Sequence, residues 1–180
     1  MKVAVFGKTL YAGVMAALLS ECGHQVYWCN IFQDSQHIQR YFQDESVERL
    51  LEKQLAQGFL QYCDFSALPL DLDAYLFSFS PTDQHLGQHV LLQLQQRAII
   101  HPKLMINAST LGLQGTEKFS TLLPQDHWVY LPDTIQEGNA LASVTQAKQL
   151  IVGCSQAEVQ VKVRELLRPL FPLEQQYLFM

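Results

Sequence analysis

The residues near the amino terminus that are best suited to chemistry form a glycine turn between two apolar segments. Lys2 to Phe6 is a short apolar run that ends at Gly7 and predicts a buried parallel strand. Residues 14–22 carry apolar side chains at helical spacing, and residues 26–29 predict a second strand. A strand, tight turn, helix and strand in this order is typical of the phosphate-binding entry to a dinucleotide site.

Two positions of this segment depart from what a dinucleotide site requires. A pyrophosphate needs bare backbone and free N–H groups at a helix start, and Gly7 supplies the tight turn. Thr9 stands at the second glycine position, where its Cβ and methyl group would crowd the phosphates, and Ala12 stands at the third, which is tolerated. Asn30 stands where a carboxylate would bind the ribose hydroxyls, and it can accept a hydrogen bond without bringing charge. Alternatively, Asn30 is a strand-end amide that makes a turn.

Polar side chains follow three further predicted strands, at the points where open α/β sheets bind their ligands. His85 and His89 lie one helical turn apart without a third ligand nearby in sequence, so we expect a solvated surface pair and no metal site. The candidate residues in these loops are Ser80, Thr82, Thr110, Asp133 and Glu137.

The composition argues against several classes of protein. With 180 residues, 48% of them hydrophobic and 16% charged, the chain is ordinary for one well-cored globular domain. A net charge of −5 at pH 7, without a Lys/Arg cluster, argues against a nucleic-acid partner. No apolar run reaches the length of a membrane span, and the start of the chain resembles a strand rather than a signal peptide. The four cysteines form no Cys-x-x-Cys pair, so we expect reduced core thiols in a cytoplasmic protein.

Strands and helices alternate along the chain. We therefore expect a single Rossmann-like α/β domain over residues 1–170, a doubly wound and mostly parallel sheet with helices on both faces. The apolar tail, residues 171–180, is expected either to dock on the domain or to meet a partner. The predicted strands are 2–6, 26–29, 59–63, 74–79, 104–108, 128–131 and 150–152; the predicted helices are 14–22, 44 to just before Gly58, 86–100, 117–123 and 156–167.

Four stretches, taken in order, resemble the N-terminal NAD-binding domain of the UDP-glucose/GDP-mannose dehydrogenases. Gly23 to Val26, after the glycine turn, matches the Gly-His-x-Val step of that family, and Asp44 to Leu51 falls where the family has Glu-Pro-Gly-Leu-Glu-Glu-Leu-Leu. Ser109 to Thr116 matches Ser-Thr-Val-Pro-Val-Gly-Thr with one residue more and no proline. Pro132 to Gly138 matches Pro-Glu-Phe-Leu-Arg-Glu-Gly. The resemblance covers about residues 1–170.

The resemblance implies an oxidoreductase that uses NAD to convert the C6 alcohol of a nucleotide sugar, such as UDP-glucose, to a carboxylate. By position it places Thr110 and Glu137 near the nicotinamide and the reacting carbon, where they would position water and assist proton transfer. Alternatively, Thr110 is a loop hydroxyl and Glu137 a helix-capping carboxylate. Asp133 replaces the first glutamate of its motif, so the implied catalytic set is Thr110, Asp133 and Glu137. The implied cofactor-binding residues are Gly7, Thr9, Leu10, Tyr11, Ala12, Asn30, Ser80, Thr82, Thr110 and Glu137.

In that family the nucleophilic cysteine, with a lysine and an asparagine, comes from a middle and a C-terminal domain. None of the four cysteines here has the family's Gly-Gly-Ser-Cys context, so we do not expect this chain to complete the dehydrogenation alone. Three hypotheses stay open. The chain binds NAD and a second chain supplies the missing domains; or it is a non-catalytic relative that has lost NAD and acts as an assembly module, a homo-oligomer held by Tyr177, Leu178 and Phe179; or it is a small reductase of another Rossmann family.

Overall fold

A six-stranded sheet forms the centre of the computed structural model, which describes residues 1–31, 44–112 and 114–180. Its strands are β1 (Lys2–Phe6), β2 (Gln25–Asn30), β3 (Leu60–Asp64), β4 (Ala74–Phe77), β5 (Leu104–Asn107) and β6 (His127–Tyr130). The spatial order is β3-β2-β1-β4-β5-β6, and every neighbouring pair is parallel. This is the doubly wound order of a Rossmann fold, so the predicted fold class is confirmed.

Helices cover both faces of this sheet. They are α1 (Leu10–Glu21), α2 (Glu45–Gln57), α3 (Gln84–Gln95), α4 (Gly115–Ser120), α5 (Ala140–Thr145) and α6 (Ala157–Leu167). Successive strand residues point to opposite faces, so Val3 and Val5 join the apolar cluster under α1, α2, α5 and α6, whereas Ala4 and Phe6 join the cluster under α3 and α4. The strands read as continuous apolar runs because both faces are buried.

Helix α1 is the most deeply buried helix of the described chain. Every residue from Tyr11 to Ser20 is buried, since the sheet lies on one side and α2 and α5 lie on others. A helix that is apolar all round is suited to such a position. The single polar side chain in this stretch besides Tyr11 is Ser20, whose hydroxyl donates to the carbonyl of Ala16 at 2.6 Å.

Three details of the secondary structure differ from the sequence prediction. Helix α3 ends at Gln95 rather than at residue 100, and Arg97 beyond it donates a hydrogen bond to the carbonyl of Phe65 at 2.6 Å. Helix α5 was not predicted, because a single short turn carries too little periodicity to register. The strand predicted at residues 150–152 exists as β7 (Leu150–Val152), but it lies outside the main sheet.

The apolar tail provides the partner of β7. Strand β8 (Tyr177–Phe179) pairs with β7 in parallel, and the guanidinium of Arg164 lies 4.5 Å from the ring centre of Phe179. Phe171 is buried in the same cluster as α1, and the Tyr177 hydroxyl donates to its carbonyl at 2.9 Å. Of the two expectations for the tail, the structure therefore shows docking on the domain.

Asp44 is a buried carboxylate that joins the starts of two helices. Its Oδ1 accepts hydrogen bonds from the backbone N–H groups of Ser46 and Val47 at 3.1 and 3.4 Å, and its Oδ2 accepts from the N–H of Ala140 at 3.1 Å. The hydrogen bond from the Ser46 hydroxyl, followed by those backbone bonds, lowers the pKa of the Asp44 carboxyl below its ordinary value. The ionised form therefore holds α2 and α5 together.

We expect Asp44→Asn to lower the free energy of unfolding by roughly 1–3 kcal/mol near neutral pH, since an amide cannot accept at both oxygen positions. Because the folded-state pKa is depressed, this stabilisation is complete above the unfolded pKa of about 3.9 and disappears as the pH falls through the folded value. Urea unfolding at neutral and acid pH measures this, and the gap between the native chain and the variant should narrow in acid. Glu45→Gln, at an exposed neighbouring carboxylate, is the control and should change little. A gap that stays constant with pH contradicts this role for Asp44.

Candidate functional site at the carboxyl edge of the sheet

The carboxyl ends of the six parallel strands meet at one edge of the sheet, and the predicted site loops all leave from that edge. Gly7 follows β1, Ser80 follows the end of β4, Thr110 follows β5 and Asp133 follows β6. The chain reverses its direction of progress across the sheet between β1 and β4. Open α/β sheets bind ligands at such a switch point, so the fold places these loops where a ligand is expected.

Gly7 allows β1 and the residue after β4 to approach closely. Its φ angle is +117°, and an added Cβ would lie 1.8 Å from the carbonyl oxygen of Ser78. The carbonyl of Gly7 accepts a hydrogen bond from the indole N–H of Trp28 at 2.9 Å. The glycine is therefore required by the fold itself, with or without a bound ligand.

Thr9 caps α1 with its hydroxyl. This oxygen accepts the N–H of Ala12 at 3.1 Å and shares a 2.5 Å hydrogen bond with the hydroxyl of Ser78. The N–H groups of Leu10 and Tyr11 have no acceptor among the described residues, and the first turn of α1 carries no acidic side chain. Two free donors at the positive end of a helix fit an anion such as a phosphate, whereas the third donor is already occupied by Thr9.

The side chain of Asn30 lies outside the part of the chain that the structure describes. Its backbone is the last residue of β2 and is paired in register with Asp64, the last residue of β3. The predicted contact of Asn30 with an adenosine ribose stays a prediction.

The loop after β4 is closed by hydrogen bonds among its own side chains. The Ser80 hydroxyl lies 2.8 Å from the hydroxyl of Thr82 and donates to a carboxylate oxygen of Asp83 at 2.8 Å. Both predicted residues therefore lie at the edge of the sheet within one polar cluster. Their predicted contact with the middle of a cofactor stays a prediction.

The hydroxyl pair after β5 divides into a buried and an exposed residue. The buried hydroxyl of Ser109 accepts from the N–H of Phe79 at 2.9 Å and donates to the carbonyl of Phe77 at 3.2 Å, so it joins the ends of β4 and β5. The Thr110 side chain is exposed, while its N–H donates to the carbonyl of Phe79 at 3.1 Å. Thr110 is thus free to meet a ligand, whereas Ser109 holds the loop.

The loop after β6 carries two exposed acidic residues, Asp133 and Glu137. Asp133 accepts the N–H of Ile135 at 3.1 Å, and desolvation by neighbouring atoms raises the pKa of its carboxyl above the ordinary value. Glu137 is exposed at the far end of the same loop, next to Gly138 with φ of +77°. Thr110 and Glu137 therefore lie on exposed loops of neighbouring strands, and their predicted cooperation in proton transfer stays a prediction.

Leu10 and Tyr11, at the start of α1, present their backbone N–H groups at the edge of the sheet, whereas their side chains pack in the core. Leu10 packs against the core, and Tyr11 is only 3% exposed, within the cluster beneath α1. Burial, together with the nearby Asp133, raises the pKa of the Tyr11 hydroxyl far above its ordinary value, so this group stays protonated. The part of these residues available to a ligand at the edge is the N–H group.

A pair of thiols that the sequence analysis did not connect lies one strand away. Cys29 in β2 and Cys63 in β3 are neighbours in register, and all four cysteines are free. A hydrogen bond between the two thiols raises the pKa of Cys29, which donates, and lowers the pKa of Cys63, which accepts. Only the pairing of two strands distant in sequence brings them together, so spacing along the chain contained no signal.

Metal and membrane features are absent from the residues described. No group of three or more His, Cys, Asp or Glu side chains there could hold a metal ion. His85 and His89 are both exposed on α3, as expected for a surface pair. No helix in that part of the chain is long and apolar enough to cross a membrane.

The parallel strand order and the glycine turn before α1 define a Rossmann-type α/β domain. No protein-family model and no curated protein matches the sequence. Solved structures do match. The UDP-glucose dehydrogenase of the archaeon Pyrobaculum islandicum superposes with a TM-score of 0.82 at 14% identity, covering 99% of this chain and 46% of that one.

Two further enzymes of the same kind are similar in fold. The UDP-N-acetyl-mannosamine dehydrogenase of Staphylococcus aureus has a TM-score of 0.80 at 15% identity, covering 100% of this chain and 47% of its own. The NDP-N-acetyl-D-galactosaminuronic acid dehydrogenase of Methanosarcina mazei has a TM-score of 0.80 at 17% identity, covering 99% of this chain and 44% of its own. The chain thus has the fold of the amino-terminal portion of nucleotide-sugar dehydrogenases and spans just under half their length.

Replacing Gly7 tests the close approach at the switch point. We expect Gly7→Ala to cost about 3 kcal/mol or more of unfolding free energy, because the new Cβ collides with the Ser78 carbonyl and the φ angle is unfavourable for alanine. Gly23→Ala is the matched control, since Gly23 has φ of +85° with nothing within 4 Å of the added Cβ. Its cost should stay near about 1 kcal/mol. Equal losses for the two variants, measured by chemical denaturation, would show that the collision does not matter.

The lowered pKa of Cys63 predicts the order in which the cysteines are alkylated. A lowered pKa leaves more Cys63 as thiolate, so we expect iodoacetamide to label Cys63 before Cys22, a half-buried thiol whose pKa is raised by burial. Cys29→Ala removes the donor and should slow labelling of Cys63. Mass spectrometry of peptides over a time course measures both rates. Faster labelling of Cys22, or no effect of Cys29→Ala, is the contrary result.

Proposed function

We propose that this chain binds NAD, as the cofactor half of an oxidoreductase that acts on the CH–OH group of a nucleotide sugar. The observation that carries the proposal is the start of α1 at the switch point of the sheet. There the free N–H groups of Leu10 and Tyr11 follow a glycine turn, with no acidic side chain in the first turn of the helix. The overall fold of the nucleotide-sugar dehydrogenases supports the same assignment.

In this proposal the pyrophosphate lies against the turn formed by Gly7, Thr9 and Ala12 and against the N–H groups that follow it. Asn30 accepts a hydrogen bond from the adenosine ribose, and Ser80 and Thr82 lie beside the middle of the cofactor. NAD would supply the hydride acceptor when bound. The residues of this chain bind it, orient it and hold polar groups next to its reactive end.

The exposed loops after β5 and β6 form the reactive end. Thr110 offers a hydroxyl and Glu137 a carboxylate, and both are exposed rather than tied into the core. A hydroxyl beside a carboxylate can hold a water molecule and accept a proton. Asp133, whose pKa is raised by desolvation, is the second acidic group at this end.

We do not propose that the chain completes the reaction alone. None of its four cysteines lies in the loops that leave β1, β4, β5 or β6, so no thiol is placed to attack a bound aldehyde there. The chain also spans only 46% of the Pyrobaculum islandicum enzyme. We propose that further domains, supplied by a second chain, complete the site for a substrate such as UDP-glucose. Four free thiols support a reducing compartment such as the cytoplasm.

One observation favours a second candidate function. The Thr9 hydroxyl already occupies the N–H of Ala12 and contacts Ser78, which narrows the approach of a pyrophosphate. A relative that has lost NAD would tolerate this arrangement and would act as a binding or assembly module. Its association surface would include the exposed side chains of Ile151 and Leu178 on β7 and β8.

Calorimetric titration with NAD, and separately with UDP-glucose, distinguishes the two functions. We expect the native chain to bind NAD with a micromolar dissociation constant. The double variant Thr9→Gly/Asn30→Asp should bind at least about tenfold more tightly, because it exposes backbone and adds a charged acceptor for the ribose. Thr9→Asp keeps a good helix cap but adds negative charge, so it should abolish NAD binding without loss of thermal stability.

The outcomes separate clearly. Binding by the native chain that Thr9→Asp abolishes supports the cofactor domain. Binding by the double variant alone shows that the site decayed at Thr9 and Asn30, and it favours the assembly module. Absence of NAD binding by all three folded proteins overturns the proposal. Sedimentation analysis of the native chain and of Leu178→Ser then tests whether the tail joins copies of the chain.

A further inference from the structure

A cavity of about 240 Å³ lies against α1, where the side chains of Tyr11 and Met15 line it. Most of its wall is apolar, and it is enclosed by α1, the loop after β6, α5, β7 and the end of α6. The apolar wall includes Met15, Leu131, Val144, Leu150 and Phe171. Apolar cavities of roughly 150 Å³ are known to admit benzene, so this space admits a substituted aromatic ring.

Tyr11 places a hydroxyl at the cavity wall. The residue is 3% exposed, lines the cavity, and makes no hydrogen bond through its hydroxyl with any of the described residues. The hydroxyl oxygen is not one of the fully enclosed polar atoms without a partner, so it is open to the cavity, where a ligand that accepts its hydrogen bond would take the place of water. Ser143, which also lines the cavity, is already satisfied: it accepts the N–H of Gln136 at 3.0 Å and donates to the carbonyl of Asn139 at 2.8 Å. Thr134 and Gln149, the other polar side chains of the lining, are exposed, so Tyr11 is the buried donor that a ligand would use.

The charges around the cavity select against anions. The ionisable groups whose charge acts on the Tyr11 hydroxyl are Asp133 and Tyr130, and no cationic side chain lines the cavity among the residues described. The Tyr11 hydroxyl stays protonated, so it can donate but offers no positive charge. A phosphate or carboxylate would meet the field of Asp133 without compensation, whereas a neutral ligand would not.

We propose that this cavity is a binding site for a small, neutral aromatic molecule that carries one hydrogen-bond acceptor, such as an aryl ketone. The ring fills the space between α1, α5 and β7, and the acceptor receives the hydrogen bond of Tyr11. The site differs from the proposed dinucleotide site because it uses the side chain of Tyr11 rather than its N–H and is lined by residues of α5 and β7; apart from Tyr11, the two sites share only the loop after β6. This proposal does not depend on whether the chain binds NAD.

Three matched probes test the chemistry of the site. Acetophenone has the ring and the carbonyl, α-methylstyrene replaces the carbonyl oxygen with a CH₂ group, and benzoate replaces the methyl ketone with a charged group. We expect acetophenone to bind the native chain most tightly, α-methylstyrene up to about tenfold more weakly for want of one hydrogen bond, and benzoate not at all. Tyr11→Phe should remove the preference of the site for acetophenone over α-methylstyrene.

Filling the cavity provides the second test. Ala147 lines it, so Ala147→Phe should abolish binding of acetophenone, whereas Ala98→Phe, at an exposed alanine beyond α3, should leave binding unchanged. Methyl NMR of the native chain keeps the test independent of how the variants fold: acetophenone should shift the signals of Met15, Val144 and Ile151, which line the cavity. Undiminished binding to folded Ala147→Phe, shifts confined to other methyl groups, or no binding at millimolar acetophenone would each overturn the proposal.

Discussion

The close approach of two backbones at Gly7 is the constraint on which the rest of the structure depends. A side chain at this position would collide with the carbonyl of Ser78. Because it is absent, β1 and β4 can lie side by side up to the edge, and the next residues can turn directly into α1. Two hydrogen bonds then stabilise this turn: the indole of Trp28 donates to the carbonyl of Gly7, and the hydroxyl of Thr9 bonds to the hydroxyl of Ser78. The same geometry creates the switch point at which a ligand would bind.

The hydroxyl of Thr9 stabilises the fold and, in the proposed function, limits the approach of a pyrophosphate. As a helix cap it satisfies the N–H of Ala12, which stabilises the start of a helix that is buried all round. A glycine there would leave that N–H to a pyrophosphate and would lose the cap. In the proposed function, the affinity of the turn for a pyrophosphate therefore depends on the Thr9 side chain and on the two donors left free after it.

Helix α1 separates two environments that a ligand could occupy. Its amino end faces the polar carboxyl edge of the sheet with backbone donors, whereas the buried side chains of Tyr11 and Met15 face an apolar cavity closed by α5 and β7. The loop after β6 borders both, with Asp133 between them. The start of α1 thus offers backbone donors for a polar ligand at the edge of the sheet and apolar side chains for a ligand in the cavity.

The residue pattern along the chain predicts the alternation of strands and helices, the glycine turn and the class of fold. These are local features. An apolar run bounded by glycine indicates a buried strand, and apolar side chains at helical spacing indicate a helix with one buried face, so a few neighbouring residues are enough to predict each element. The resemblance of four short stretches to a dehydrogenase domain pointed to the same fold. Other features became visible only in the folded chain: β7 pairs with β8 outside the main sheet, Ser109 is structural while Thr110 is exposed, and Cys29 lies beside Cys63. The side chain of Tyr11 at a cavity is a further feature of this kind. Each of these features is a contact between segments that are distant in sequence. Periodicity describes only neighbouring residues, so it cannot predict which distant segments pack together.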